Sequence, residues 1–103
     1  MKKEKNFSTI IIFYLNVSGN GKGKEYNFEG ELEYEGEYKN GKRNGKGKEY
    51  YYNGQLRFEG EYLNGKRNGK GKEYDYDGKL KYEGEYLNGK RINKNIFGSC
   101  INI

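Results

Sequence analysis

A unit of 24 residues repeats along this chain without drift, and that period limits the fold more than any single residue does. Tyr34-Glu35-Gly36-Glu37-Tyr38 returns as Phe58-Glu59-Gly60-Glu61-Tyr62 (58 − 34 = 24) and again as Tyr82-Glu83-Gly84-Glu85-Tyr86 (82 − 58 = 24). Between these blocks, Asn40-Gly41-Lys42-Arg43-Asn44-Gly45-Lys46-Gly47-Lys48-Glu49-Tyr50 recurs unchanged from Asn64 to Tyr74. A fixed period in this range marks a stacked array, in which each unit buries its apolar side only against its neighbours. Arrays of this kind present surfaces, so binding or scaffolding is expected ahead of catalysis.

The unit predicts strands. Leu32, Tyr34, Gly36 and Tyr38 alternate with Glu31, Glu33, Glu35 and Glu37, the pattern of a half-buried strand. Asn-Gly pairs at 40–41, 44–45 and 53–54 supply hairpin turns, because both residues tolerate positive φ. Two antiparallel strands per unit follow, roughly 31–39 and 45–52, joined into an open meander. The fold class is therefore all-β: an elongated single-layer array of β-hairpin repeats with period 24.

With a four-residue loop over Asn40–Arg43 and a turn at Asn53-Gly54, residue x pairs with 83 − x across the first turn and 107 − x across the second. Gly36 then faces Gly47, which faces Gly60, and Tyr38 faces Gly45, which faces Tyr62. On the other face Glu35 meets Lys48, and Lys48 meets Glu59. A two-residue loop would shift the pairing but keep its parity. One face thus carries rings interrupted by glycine, with a shallow trough between them; the other carries Glu and Lys stripes. Glycine inside a strand is costly unless close approach or curvature needs it, and twist of the sheet is the plainer need here.

Composition fits a thin sheet. Only 32% of the 103 residues are hydrophobic, and 12 of those are tyrosines. An aromatic content of 17% separates the chain from disordered sequences of comparable charge. The net charge of +5 favours acidic partners mildly, and Cys100 has no second cysteine to pair with, which suits a cytoplasmic setting. Met1 to Asn6 is basic and Phe7 to Leu15 largely apolar, the outline of a signal peptide ending near Val17-Ser18-Gly19, beside the sequons Asn6-Phe7-Ser8 and Asn16-Val17-Ser18. The repeat phase argues against cleavage there, because Tyr14-Leu15-Asn16 lies two periods before Tyr62-Leu63-Asn64 (62 − 14 = 48). Residues 10–18 read instead as a decayed strand capping the array. The chain divides into a basic and apolar segment, 1–13; the repeats, 14–91; and a divergent tail, 92–103.

The block Tyr-Glu-Gly-Glu-Tyr-x-Asn-Gly-Lys-Arg-Asn-Gly-Lys-Gly resembles the MORN repeat (membrane occupation and recognition nexus). Tyr34, Gly36, Tyr38, Gly45 and Gly47 supply its pattern, Phe58, Gly60, Tyr62, Gly69 and Gly71 supply it again, and Tyr82, Gly84 and Tyr86 open a third copy. The resemblance covers residues 14–91. It implies a single-layer hairpin array acting as a scaffold, often at membranes, and in some proteins joined to lipid kinase or methyltransferase domains. The unit is longer than usual and carries tyrosine where tryptophan is common, features similar to a bacterial variant that includes antitoxin-like proteins.

The chemistry expected is that of surfaces. The chain contains no histidine and one cysteine, so no catalytic residue, metal site or cofactor is assigned. Two binding surfaces are expected. One is the aromatic face, Tyr34, Tyr38, Phe58, Tyr62, Tyr82 and Tyr86. The other is a basic ridge in which Lys42, Arg43, Lys46 and Lys48 align with Lys66, Arg67, Lys70 and Lys72 and with Lys90 and Arg91. Such a ridge suits anionic lipid headgroups at about 1 kcal/mol per cation, although lysines at sheet edges also simply block aggregation. The leading expectation is a non-enzymatic protein-interaction scaffold. An anionic membrane surface comes second, which would place the chain at membranes peripherally, and an antitoxin-like regulator of a separate enzyme third. A homodimer through an uncapped sheet edge is a further expected association. Nucleic acid ranks last, because glutamates crowd the lysine face.

Overall fold

The computed structural model describes residues 9–15, 19–94 and 100–102, and of these the side chains of residues 19–92. The basic start of the signal-like segment, its cleavage point and both sequons lie outside the described residues, as do residues 95–99 of the tail. Every element among the described residues is a strand. They form one antiparallel sheet whose spatial order is the chain order: β1 (Thr9–Leu15), β2 (Gly21–Asn27), β3 (Leu32–Lys39), β4 (Lys42–Tyr50), β5 (Leu56–Leu63), β6 (Lys66–Tyr74), β7 (Leu80–Leu87), β8 (Lys90–Lys94) and β9 (Cys100–Asn102). Each strand pairs with its sequence neighbour because hairpin turns return the chain at once, and a 24-residue period gives each turn the same chemistry.

The central register agrees with the sum rules read from the sequence. Gly36 pairs with Gly47 and Gly47 with Gly60, while Glu35 pairs with Lys48 and Lys48 with Glu59. Nearer the turns the expected pairing is corrected. Tyr38 faces Arg43, not Gly45, because the loop has two residues, Asn40 (φ 53°) and Gly41 (φ 79°), both left-handed as a type I′ turn requires. The surplus is absorbed as a bulge: Glu37 alone stands opposite Asn44, Gly45 and Lys46 on β4. Two extra residues preserve parity, so the faces stay as expected. The second turn also differs. Its central residues are Tyr52 and Asn53, with Gly54 (φ 90°) donating its N–H to the carbonyl of Tyr51 at 2.9 Å.

Units are stitched at their turns as well as along their strands. The N–H of Asn64 donates to Asn44 Oδ1 at 3.1 Å, and that of Gly65 to the Arg43 carbonyl at 2.8 Å. One unit on, Asn88 donates to Asn68 Oδ1 at 3.0 Å and Gly89 to the Arg67 carbonyl at 2.8 Å. The bulge therefore has a use: it turns an asparagine toward the next hairpin, satisfying backbone donors that a tight turn would leave to water.

The core is a single file of rings on one face. Tyr34 and Phe58 are fully buried, and Tyr38, Tyr62 and Tyr86 retain 5% exposure or less. Neighbouring rings meet edge to face in an unbroken series: Tyr38–Tyr34 at 5.6 Å, Tyr34–Tyr62 at 5.2 Å, Tyr62–Phe58 at 5.6 Å, Phe58–Tyr86 at 5.2 Å and Tyr86–Tyr82 at 5.5 Å. Pairs of this geometry contribute about 0.5–1.5 kcal/mol each beyond their buried area. The glycines make it fit: a Cβ on Gly71 would lie 2.5 Å from Phe58 Cε1. The trough that glycine opens on this face is thus filled by the rings that were expected to flank it.

Candidate functional site

Arginine closes the aromatic face from above. Strand alternation puts Arg43, Arg67 and Arg91 on the ring side, opposite Tyr38, Tyr62 and Tyr86. Their guanidinium groups lie over Tyr34 at 4.2 Å, Phe58 at 4.1 Å and Tyr82 at 4.7 Å. Each also reaches a glutamate of the preceding unit through two nitrogens: Arg43 to Glu25, Arg67 to Glu49 and Arg91 to Glu73, all at 2.8–3.0 Å. The third nitrogen of Arg43 approaches Glu49 at 3.9 Å, and that of Arg67 approaches Glu73 at 3.5 Å. The result is a continuous ladder, Glu25–Arg43–Glu49–Arg67–Glu73–Arg91, running along the array above the rings. Only a planar, forked cation can stack on a ring and hold a carboxylate bidentately at once.

Tyrosine hydroxyls complete the ladder. Tyr38 donates to Glu25 at 2.6 Å, Tyr62 to Glu49 at 2.5 Å, and Tyr86 to Glu73. Burial disfavours the charged form of Glu49, yet the Arg67 and Tyr62 hydrogen bonds hold its carboxyl below the usual range. At Glu73 the Arg91 bond dominates and brings the carboxyl down to about 2. Burial, with the adjacent carboxylate, pushes the Tyr62 phenol far up. Each of these six ladder charges is satisfied within the fold.

The ten basic residues expected on one ridge therefore divide among three places. Arg43, Arg67 and Arg91 belong to the ladder just described. Lys42, Lys66 and Lys90 stand exposed beside the hairpin turns, paired across them with Lys39, Leu63 and Leu87. Lys46, Lys48, Lys70 and Lys72 point from the opposite face. The cause is parity: in Lys42-Arg43 the two side chains leave opposite sides of one strand.

The opposite face carries two rows of alternating charge. One runs Lys24, Glu35, Lys48, Glu59, Lys72, Glu83, each residue paired in register with the next. The other runs Lys22, Glu37, Lys46, Glu61, Lys70, Glu85, where the Glu37 and Glu61 carboxylates accept the N–H groups of Lys46 and Lys70 at 3.0 Å. Between the rows lies an open groove of about 930 Å³ over β2 to β7, floored by Gly36, Gly47, Gly60, Gly71 and Gly84. The Tyr50 and Tyr74 hydroxyls donate to Glu35 at 2.5 Å and Glu59 at 3.0 Å, and burial together with Glu35 pushes the Tyr50 phenol up to about 12. Among the described residues no lysine of either row makes a hydrogen bond or ion pair through its ammonium, and none of three or more acidic, cysteine or histidine side chains gathers as a metal site.

The two aromatic sets also part ways. Tyr34, Tyr38, Phe58, Tyr62 and Tyr86 are core, with Tyr82 partly buried against them, so the surface they were expected to offer is sealed by packing and by arginine. Among the described residues the exposed rings are Phe28, Tyr52 and Tyr76 on the far turns, at 70%, 65% and 47% exposure. Their common position, two residues before the repeat-closing glycine, was the available signal. Tyr76 leans on Tyr51 at 5.2 Å and Tyr52 at 6.2 Å, so they form a cluster more than a platform.

A one-layer hairpin array with a ring-and-arginine spine and an open charged face defines a repeat protein of the surface-presenting class. Family models bear this out: the MORN repeat matches residues 34–56, 58–79 and 82–91, and a MORN repeat variant matches residues 20–40. The chain belongs to the MORN-repeat family, whose repeats are generally protein- or membrane-interaction modules of a non-enzymatic type. No curated protein matches it.

Proposed function

We propose that this chain is a protein-interaction scaffold that engages its partner on the Lys/Glu face. The groove carries this reading: it spans six strands on the face whose lysines have no internal partner among the described residues, whereas the rings of the other face are buried in the core. Concave, largely preformed surfaces with a few convergent polar groups are the usual docking sites of rigid folds. Photo-crosslinking tests it, with a photoreactive amino acid in place of Lys48 and, separately, of Leu63. The expected result is a covalent polypeptide adduct at position 48.

Peripheral binding to anionic membranes is the second reading, favoured by the hairpin turns. Lys66 and Lys90 stand there across from Leu63 and Leu87, which are 49% and 50% exposed. Crosslinking to lipid at position 63 with none at position 48 would reverse the order, as would flotation on anionic vesicles abolished by charge reversal at Lys42, Lys66 and Lys90.

A further inference from the structure

The repeat breaks inside the chain, and its last unit keeps positions that the earlier units fill. Ile92-Asn93 stands where the preceding unit has Asn68-Gly69. The β7–β8 pairing accordingly runs without the bulge, Glu85 facing Ile92. Asn68 caps the hairpin at Asn88, and position 92 holds no asparagine to cap another. Among the described residues the ring file and the charge ladder therefore stop at Tyr82 and Arg91.

Both stop one partner short. Tyr34 meets the rings of Tyr38 and Tyr62, and Phe58 meets those of Tyr62 and Tyr86. Tyr82, the third member of that series, meets Tyr86 alone among the described residues. It is only partly buried, whereas Tyr34 and Phe58 are fully so. The arginines show the same gap. Arg43 and Arg67 each turn a third nitrogen toward the next glutamate, Glu49 and Glu73. Arg91 holds Glu73 but reaches no second carboxylate among the described residues, and at 30% it is the most exposed of the three. The position one period after Glu73 (97 − 73 = 24) is Phe97. The ladder thus begins on a carboxylate and ends on a cation whose stacked ring is half uncovered.

The earlier units also show what fits there. Tyr62 and Tyr86 take the ring position, at 5.2 Å from Tyr34 and Phe58, and Glu49 and Glu73 take the carboxylate position. In each case the tyrosine hydroxyl donates to that same glutamate, so the filler is one tyrosine–carboxylate pair. The rings of the chain's own ladder pairs are buried, so a second copy has none to lend. We propose that Tyr82 and Arg91 form a docking socket for a segment of a partner protein that presents a tyrosine beside a carboxylate. The ring meets Tyr82 edge to face, and the carboxylate meets the Arg91 guanidinium. That fork is already held by Glu73 and by stacking on Tyr82 at 4.7 Å, so it loses little freedom on binding. The socket lies on the ring face and does not depend on the groove.

Fluorescence anisotropy of the full chain with labelled peptides tests it. The first probe is Thr-Glu-Thr-Tyr-Thr-Glu-Thr, whose glutamates lie on the tyrosine's side of an extended chain, about 6.6 Å away. The other two replace its tyrosine by alanine or both glutamates by glutamine. Only the first is expected to bind well, and Arg91→Lys should weaken it about tenfold or more, the scale of one lost charge-assisted contact. Arg67→Lys makes the same exchange where the next unit already fills the socket, so the folded variant should bind as wild type does. Circular dichroism establishes that each variant is folded, and Tyr82→Leu takes the place of Arg91→Lys if that one is not. No binding of the first probe, equal binding of either control, full binding by folded Arg91→Lys or Tyr82→Leu, or an equal loss in Arg67→Lys would overturn the proposal. So would concentration-dependent self-association that Arg91→Lys abolishes, which would give the socket to a second copy.

Discussion

The two faces of this sheet use their charges in opposite ways. On the ring face each glutamate is gripped by an arginine fork and a tyrosine hydroxyl, and the arginines lie on buried rings. On the groove face lysine and glutamate stand directly opposite in register, yet no lysine–glutamate ion pair forms there among the described residues. The difference follows from side-chain chemistry. Guanidinium is planar, weakly hydrated and suited to stacking, whereas an ammonium on a flexible stem keeps its water. A strand that reads Lys-Arg thus sends structure one way and free charge the other.

The largest test of that contrast removes a ring. Phe58→Ala is expected to cost about 3–5 kcal/mol, since the ring is fully buried and touches Tyr62, Tyr86 and Arg67. A small domain commonly has about 5–15 kcal/mol in all, so much of the population should unfold, visible as a collapsed thermal transition. A transition unchanged from wild type would mean that the ring face is not the core.

Acid should act next, and on the same face. Glu25, Glu49 and Glu73 are all held below the ordinary carboxylate value. A carboxyl lowered on folding contributes stability above its unfolded pKa and loses it as pH falls through its folded one. For Glu73 that window runs from 4.5 down to about 2. Urea midpoints are therefore expected to fall across this range, and Glu73→Gln to start lower and flatten the slope. A midpoint indifferent to pH there would remove the ladder as a source of stability.

Arg67→Lys sharpens the comparison further, because it converts a ladder residue into the type found in the groove. Charge is kept while the fork and the stacking over Phe58 are lost, at an expected cost of about 1–2 kcal/mol in chemical denaturation. Least affected should be Lys48→Gln, within about 0.5 kcal/mol of wild type, as for other surface changes without internal partners. A groove variant as damaging as the arginine one would erase the distinction between the faces.

Much of this was legible in the residues. Tyr34 alternating with Glu33 and Glu35 gives the strand and its faces, and the 24-residue offset gives the order of strands. The sums 83 − x and 107 − x predict Gly36–Gly47 and Gly47–Gly60 as they stand. These are local or periodic properties, and period and parity are written directly into the chain. What the tertiary structure alone decided was where side chains go when two partners are within reach. Asn40-Gly41 could turn in two residues or within four, and the choice fell to Asn20, Asn44 and Asn68, which cap the hairpin of the following unit. Arg67 read as one more cation of a ridge until Glu49, eighteen residues away in sequence, lay beneath its fork. Gly71 read as the floor of a trough until the Phe58 ring occupied it. Each outcome depends on a neighbour supplied by an adjacent hairpin, so it is fixed only once strands stack and the packing of one unit constrains the next.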